Sequence, residues 1–311
     1  MRCCVIGGAG FLGSHLVSAL RGTGRDVLVV GRRDRDATTL PPGVAYLQGD
    51  IRDRPFIAGA LEGVDELVDL AYSSVPKTSF ENPIQDIVDN LPGSVALFDV
   101  ASGLNLRKMV FVSSGGTVYG EALQLPVPET HPTNPISPYG ITKLALEKYA
   151  QVYHRMRQLP VLCVRPSNPF GERQMPYVGQ GFIATAMASM ISGQEIRVFG
   201  QQGTIRDYIY VEDVAHALVS ALDKGVPGES YNIGSSVGRS NLEVLTEISR
   251  VAHASGVQPR ITHVEPRSFD VAANVLDVEK LRALSGWQPK IDFAEGIART
   301  WDWYCSNSRC P

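Results

Sequence analysis

The first half of the chain alternates too regularly to leave many folds open. Short apolar runs, RCCVI, DVLVV, VAYLQ, DELVDL, KMVFVSS and PVLCVRP, are separated by helical patterns, FLGSHLVSALRG, RDRPFIAGALEG, IQDIVDNLPGSVALFDVASG and SPYGITKLALEKYAQVYHRM. Strand and helix in alternation build βαβ units, hence a parallel sheet with helices on both faces. Strands that are apolar throughout, without polar alternation, fit a sheet buried on both sides. The predicted fold class is therefore α/β, a doubly wound parallel sheet with a smaller C-terminal lobe. At 311 residues the chain is long enough for one large core and such a lobe. After Pro166 the loops lengthen and Gly and Pro cluster. Residues 1–166 are read as the sheet domain and 167–311 as mainly the lobe. The segments DVAHALVSALDKG and ESYNIG predict a return to the sheet around 208–234.

The formal net charge of -3, evenly spread, offers no basic face for nucleic acid. No stretch approaches the roughly 18 unbroken apolar residues of a membrane span. The sequence opens directly on a strand-like MRCCVIGG, without the charged region, apolar run and cleavage site of a signal peptide. A soluble cytoplasmic protein is the expectation. Cys3 and Cys4 would point to opposite faces of one strand, and Cys163, Cys305 and Cys310 are scattered, so free thiols are expected. Six dispersed histidines show no ligand spacing, and no metal site is predicted.

VIGGAGFLGSHLVSAL places Gly7, Gly10 and Gly13 between the first strand and the first helix. A tight turn needs a residue tolerant of unusual dihedrals, and a pyrophosphate needs the backbone close, with no Cβ between them. Phe11 and Leu12 open a helix whose free N–H groups and positive dipole end suit phosphate. Three spaced glycines alone are a weak signal, but strand, turn and helix in this order predict a dinucleotide site. At the end of the second strand, where an acidic residue clamps the NAD ribose, this chain has Gly31 followed by Arg32 and Arg33. NAD is expected, and because a guanidinium pair suits a 2′-phosphate, NADP is the alternative. Asp50 and Ile51, after the third strand, are placed to cover the adenine.

Further along, SPYGITK sets Tyr139 four residues before Lys143, on one helix face. A hydroxyl carbon yields hydride only as its proton leaves, and a tyrosine of ordinary pKa near 10 is a poor base at neutral pH. A lysine one turn away supplies the charge that stabilises the phenolate. With GGAGFLGSH, GDIRD, VSSGGTVYG, SPYGITKLALEKY, RPSNPFGERQ and IRDYIYVEDVAHA, the chain resembles the extended short-chain dehydrogenase/reductase family, most closely its UDP-galactose 4-epimerase type. The likeness runs nearly end to end. It implies a Rossmann-type sheet and a reaction in which Tyr139 takes the proton of the sugar's 4-hydroxyl while hydride moves to the cofactor. The 4-keto sugar then turns over and takes the hydride back on its other face. By the same resemblance Asn168 would bond the diphosphate or the sugar, Arg206 and Arg267 would pair with the diphosphate, and Asp270 would bond the ribose. Asn90 would bond backbone near the tyrosine–lysine helix.

The resemblance has one gap. Gly115 stands where the family's catalytic serine is, leaving Thr117, Ser114 or a water to assist Tyr139. If the backbone is extended here, residues 115 and 117 share a face, which favours Thr117; a turn tightened by the glycines would favour Ser114. The family's dehydratases carry an Asp–Glu pair in this stretch and its decarboxylases a glutamate, and this chain has neither. The sugar pocket's gate residue matches Asn274, small enough and polar enough for an N-acetyl group, so UDP-hexoses and UDP-N-acetylhexosamines both fit. An NADPH-dependent nucleotide-sugar 4-ketoreductase and a non-catalytic NADP-binding sensor are the alternatives. The resemblance also implies a homodimer through paired helices at 84–102 and 138–157, and a place in polysaccharide biosynthesis.

Overall fold

The computed structural model describes residues 1–33, 40–253, 256–265 and 271–307. The expected doubly wound parallel sheet is present, with seven strands. They are β1 (Arg2–Ile6), β2 (Asp26–Gly31), β3 (Ala45–Gln48), β4 (Glu66–Asp69), β5 (Lys108–Val112), β6 (Val161–Pro166) and, later in the chain, β10 (Ser230–Ile233). Helices α1 (Phe11–Gly22), α2 (Arg54–Ala60), α3 (Pro76–Glu81), α4 (Pro83–Ser102) and α5 (Pro138–Arg157) fill the crossovers. The remaining elements are β7 (Asn168–Phe170), α6 (Phe182–Ile191), β8 (Glu195–Phe199), β9 (Ile205–Tyr210), α7 (Val211–Lys224), β11 (Gly238–Ser240), α8 (Asn241–His253), β12 (Arg260–Val264), β13 (Ala273–Asn274), α9 (Glu279–Ser285) and α10 (Phe293–Asn307).

Strand order is β3-β2-β1-β4-β5-β6-β10, every neighbouring pair parallel. The winding reverses between β1 and β4, and a crevice opens outside the carboxyl ends of these two strands. Residues of the central strands are buried without alternation because helices cover both faces. One core packs Val5, Val29 and Val110 against Leu16 and Leu20 of α1 and Leu218 and Leu222 of α7. The other packs Cys4, Leu67 and Phe111 against Leu97 and Phe98 of α4 and Leu146 of α5. Each such fully buried side chain contributes about 1.5–3 kcal/mol. The edge strand β3 is mostly exposed, as an uncovered edge should be.

After β6 the chain builds a third core from α6, α8, α10 and the strands around β9. There β9 pairs with β11, β13 and β7, while β12 pairs with β8. Two segments return to the large sheet: α7 with β10, and then α9, whose Leu281 joins Trp287 in the α1 and α7 core. Sequence periodicity pointed to the first return and not to the second, which is too short to show a helical stripe. No helix among the described residues is long and apolar enough to cross a membrane. Cys3, Cys4, Cys163 and Cys305 are free thiols, and Cys310 lies outside the described residues.

Candidate active site

The glycine turn after β1 lies at the reversal point of the sheet. Gly7 takes φ +78°, and a Cβ on it would stand 3.3 Å from the backbone nitrogen of Ala71, just beyond β4. The loops after β1 and β4 therefore touch at the mouth of the crevice. Gly13, inside the first turn of α1, packs so closely on the strand end that a Cβ would stand 2.6 Å from Gly8 Cα. The helix begins at Gly10 with no side chain capping it, so the N–H groups of Phe11, Leu12 and Gly13 have no intrahelical acceptor. An uncapped amino-terminal turn brought against a bare glycine backbone suits a diphosphate.

The end of β2 differs from an acid-bearing ribose clamp in a way that only packing reveals. A Cβ on Gly31 would stand 2.6 Å from the hydroxyl oxygen of Tyr46 on β3. That hydroxyl donates to the Arg33 carbonyl, so Tyr46 occupies the volume a side chain at 31 would need. Arg32 and Arg33 are exposed beside it. Asp50 is held by Arg52, whose Nη2 lies 2.7 Å from Oδ2, and this pairing lowers its pKa. Ile51 rests against α4, 3.1 Å from where a Cβ on Gly93 would be.

Tyr139 and Lys143 lie on the first turns of α5, whose start is capped by Ser137 accepting from Gly140 N–H at 3.1 Å. Ser79 of α3 accepts from Tyr139 N–H at 3.1 Å and ties the same turn to a second helix. Lys143 is buried, and its Nζ donates to the Val112 carbonyl at the end of β5, 2.9 Å away. Burial pushes its pKa down to about 8, against the opposing pull of Asp69, Glu147 and Asp86. Burial likewise raises the pKa of the Tyr139 phenol, a hydrogen bond with the Ser114 side chain acts the other way, and Asp86 adds to the rise.

Residues 115–117 form a turn rather than a continuation of β5, with Val118 N–H donating to the Ser114 carbonyl at 3.2 Å. The extended backbone that would favour Thr117 is therefore not the one present. The Ser114 side chain is near enough to lower the Tyr139 pKa, while Thr117 Oγ1 is buried without a hydrogen-bond partner among the described residues. Gly115 sits under the lobe. A Cβ there would run into Leu276 Cδ1 and stand 2.7 Å from the Arg165 carbonyl. Gly116 is uncrowded, its would-be Cβ in ordinary contact with Asn168 Oδ1 at 3.8 Å.

Three of the expected substrate residues come together on one small sheet. Asn168 lies on β7 opposite Tyr208, and Arg206 on β9 is opposite Asn274 on β13. Asn274 Nδ2 donates to the Gly115 carbonyl at 3.1 Å, so the expected gate residue is also bolted to the glycine turn. Arg206 donates to the Ile205 carbonyl at 2.8 Å. Arg267 and Asp270 lie outside the described residues. Asn90 bonds backbone beside the tyrosine–lysine helix. Its Oδ1 accepts from Ser73 N–H at 2.7 Å, and its Nδ2 donates to the Asp86 carbonyl at 2.7 Å. It supports the loop after β4, whose Tyr72 packs against Tyr139 of α5.

Asp69 Oδ2, Ser113 Oγ, Thr117 Oγ1, Ser167 Oγ, Asn168 Oδ1 and Asn274 Oδ1 are buried with no hydrogen-bond partner among the described residues. All lie at the carboxyl ends of β4, β5 and β6 or on the lobe strands facing them. Buried polar atoms left unpaired are costly, so their collection here marks a place where polar ligands complete the bonding. Together with the glycine cradle, they fit a dinucleotide and a sugar meeting at Tyr139. Asp69 itself was missed in the sequence. Burial pushes its carboxyl up to about 6, against a hydrogen bond from Ala71 N–H and the charge of Lys143. The signal was its place at the carboxyl end of a central strand.

Residues 3–234 match the NAD dependent epimerase/dehydratase family. The chain is 33% identical over 316 residues to the UDP-glucose 4-epimerase of Mycolicibacterium smegmatis, covering 99% of this chain and 100% of that protein. Among solved structures it is similar to the UDP-glucose 4-epimerase of Thermus thermophilus in complex with NAD, with TM-score 0.91 and 34% identity over 99% of this chain and 100% of that one. The UDP-glucose 4-epimerase of Thermotoga maritima with UDP-glucose gives TM-score 0.92 and 31% identity over 98% and 99%.

Proposed function

The chain belongs to the NAD dependent epimerase/dehydratase family, and from that premise we propose that it is a nucleotide-sugar 4-epimerase. It inverts C4 of a UDP-hexose or UDP-N-acetylhexosamine through a transient 4-keto sugar. The observation that carries this reading is the meeting of Tyr139, Lys143 and Ser114 at the end of β5, beside the glycine cradle. When bound, NAD supplies hydride acceptance and return. The protein's part is proton handling and orientation. Tyr139 takes the proton of the sugar's 4-hydroxyl and returns it after the sugar has turned. Lys143 favours the phenolate, and Ser114 relays the proton between tyrosine and sugar oxygen. Asn168 and Arg206 hold the diphosphate end, and Asn274 lies beside the sugar. With glycines at 115 and 116 and Thr117 after them, the turn presents no acid, so elimination of water has no assistance.

NAD is the cofactor of the family. Arg32 and Arg33 beside a ribose position without an acid support acceptance of NADP as well. Tighter binding of 2′,5′-ADP than of 5′-AMP by calorimetry is the expected outcome; equal binding removes that refinement. The reading extends to a cytoplasmic homodimer serving polysaccharide synthesis. The outer face of α4 and α5 supports the dimer, since Ile84, Val88, Ile141, Val152 and Met156 are all exposed on it.

The deciding experiment incubates the purified protein with UDP-Glc, UDP-Gal, UDP-GlcNAc and UDP-GalNAc without added cofactor and follows products by NMR. Conversion in both directions, abolished in Tyr139→Phe, is expected. No conversion of any of the four, together with NADPH oxidation by a 4-keto sugar, would make the protein a ketoreductase.

A further inference from the structure

Tyr72, in the loop after β4, sets its ring against both members of the tyrosine–lysine pair. The Lys143 ammonium lies 4.0 Å from the centre of the Tyr72 ring, closer than to Phe111 at 5.3 Å or Tyr139 at 5.9 Å. The Tyr72 and Tyr139 rings meet edge to face, with centroids 4.9 Å apart and planes at 71°. The Tyr72 hydroxyl donates to Asp86 Oδ1 at 3.2 Å. Asp86, buried on α4, also accepts from Thr142 Oγ1 of α5 at 2.7 Å and from the Ser74 hydroxyl. One carboxylate thus fixes the ring of Tyr72 and the helix that carries Tyr139 and Lys143 in the same frame.

A buried ammonium has three donors to satisfy, and among the described residues Lys143 makes one hydrogen bond, to Val112. Asp69 of β4, Asp86 of α4 and Glu147 of α5 face it as charges, with the Tyr139 phenol on its own helix. The negative face of an aromatic ring meets the remaining side of the cation and costs no additional buried charge. We propose that Tyr72 is a positioning residue, its ring holding Lys143 charged beside Tyr139 and its hydroxyl locking that ring to Asp86. The proposal rests on the epimerase reading and deepens it, since the 4-hydroxyl proton leaves only while Lys143 remains an ammonium.

The test measures kcat and KM for a UDP-sugar from pH 6 to 10 in the cofactor-loaded parent, Tyr72→Leu, Tyr72→Met and Tyr72→Phe. Loss of the ring moves the alkaline limb of kcat down by about one pH unit. At pH 9 kcat then falls roughly tenfold, with KM within about twofold. Tyr72→Phe keeps the ring, so its limb stays with the parent's while kcat falls about threefold from the lost Asp86 bond. An unshifted limb in Tyr72→Leu or Tyr72→Met, even with a lowered Tm, overturns the proposal. A limb shifted equally in Tyr72→Phe overturns it too. A parent without UDP-sugar turnover overturns the epimerase reading instead, before any variant is compared.

Discussion

A serine at position 115 would have no room. Its Cβ would stand 2.7 Å from the Arg165 carbonyl and against Leu276, so residue 115 cannot supply the hydroxyl proposed to assist Tyr139. Gly115→Ser should lose about 1–3 kcal/mol in urea unfolding without raising kcat. Ser114→Ala should lower kcat about 10²-fold with little change in KM, while Thr117→Val changes it less than about threefold. A larger loss in Thr117→Val would move the proton relay to Thr117. Asp69 gives a prediction of a different kind. Its folded pKa is raised to about 6 from 3.8, so its contribution favours the fold below the unfolded pKa and is lost as pH rises through 6. Above that window the buried carboxylate is a burden that an amide lacks. Asp69→Asn should therefore be about 3 kcal/mol more stable than the parent at pH 7.5 and only about 1 kcal/mol more stable at pH 4.5. An advantage independent of pH in the two denaturation curves would refute this account.

At the scale of elements, the first turn of α1 is the proposed cofactor cradle, since Gly13 lets the helix close onto Gly7 and Gly8. Gly13→Ala should pry that turn outward and reduce the NAD retained through purification to below about a tenth, read as nucleotide released on denaturation. This element was legible in the sequence because strand, glycine turn and helix are contiguous. The central strands were legible for the same local reason, as was α5 with Tyr139 and Lys143 four residues apart. The turn at 115–117 was legible only as two alternatives, since glycines permit both an extended path and a tight one. Tyr46 over Gly31 was not legible at all, because it depends on the register that sets Tyr46 against Val29. Nor was the Arg206 and Asn274 pairing, which joins a strand of two residues to one far earlier in the chain.

At the scale of the whole molecule, α4 and α5 have two duties on opposite faces. Their inner faces carry Asp86, Asn90, Thr142 and Lys143, all buried. Their outer faces leave Ile84 74% exposed, Val152 54% and Met156 76%, beside Ile87, Val88, Ile141 and Tyr149. Exposed apolar side chains grouped on two neighbouring helices are what an interface between two copies would cover. Two copies pairing these helices would bury them in an interface of roughly 1,200–2,000 Å². Light scattering should then give twice the 33.7 kDa chain mass for the parent and the single mass for Val152→Asp combined with Ile84→Asp. Because the helices that would meet the partner also carry Tyr139 and the Asp86 frame, separation should reach the chemistry. Turnover per protomer in the double variant should fall several-fold, with the cofactor still bound. A parent that runs at the single mass would refute the dimer, and full turnover in a monomeric variant would show that the frame holds without a partner.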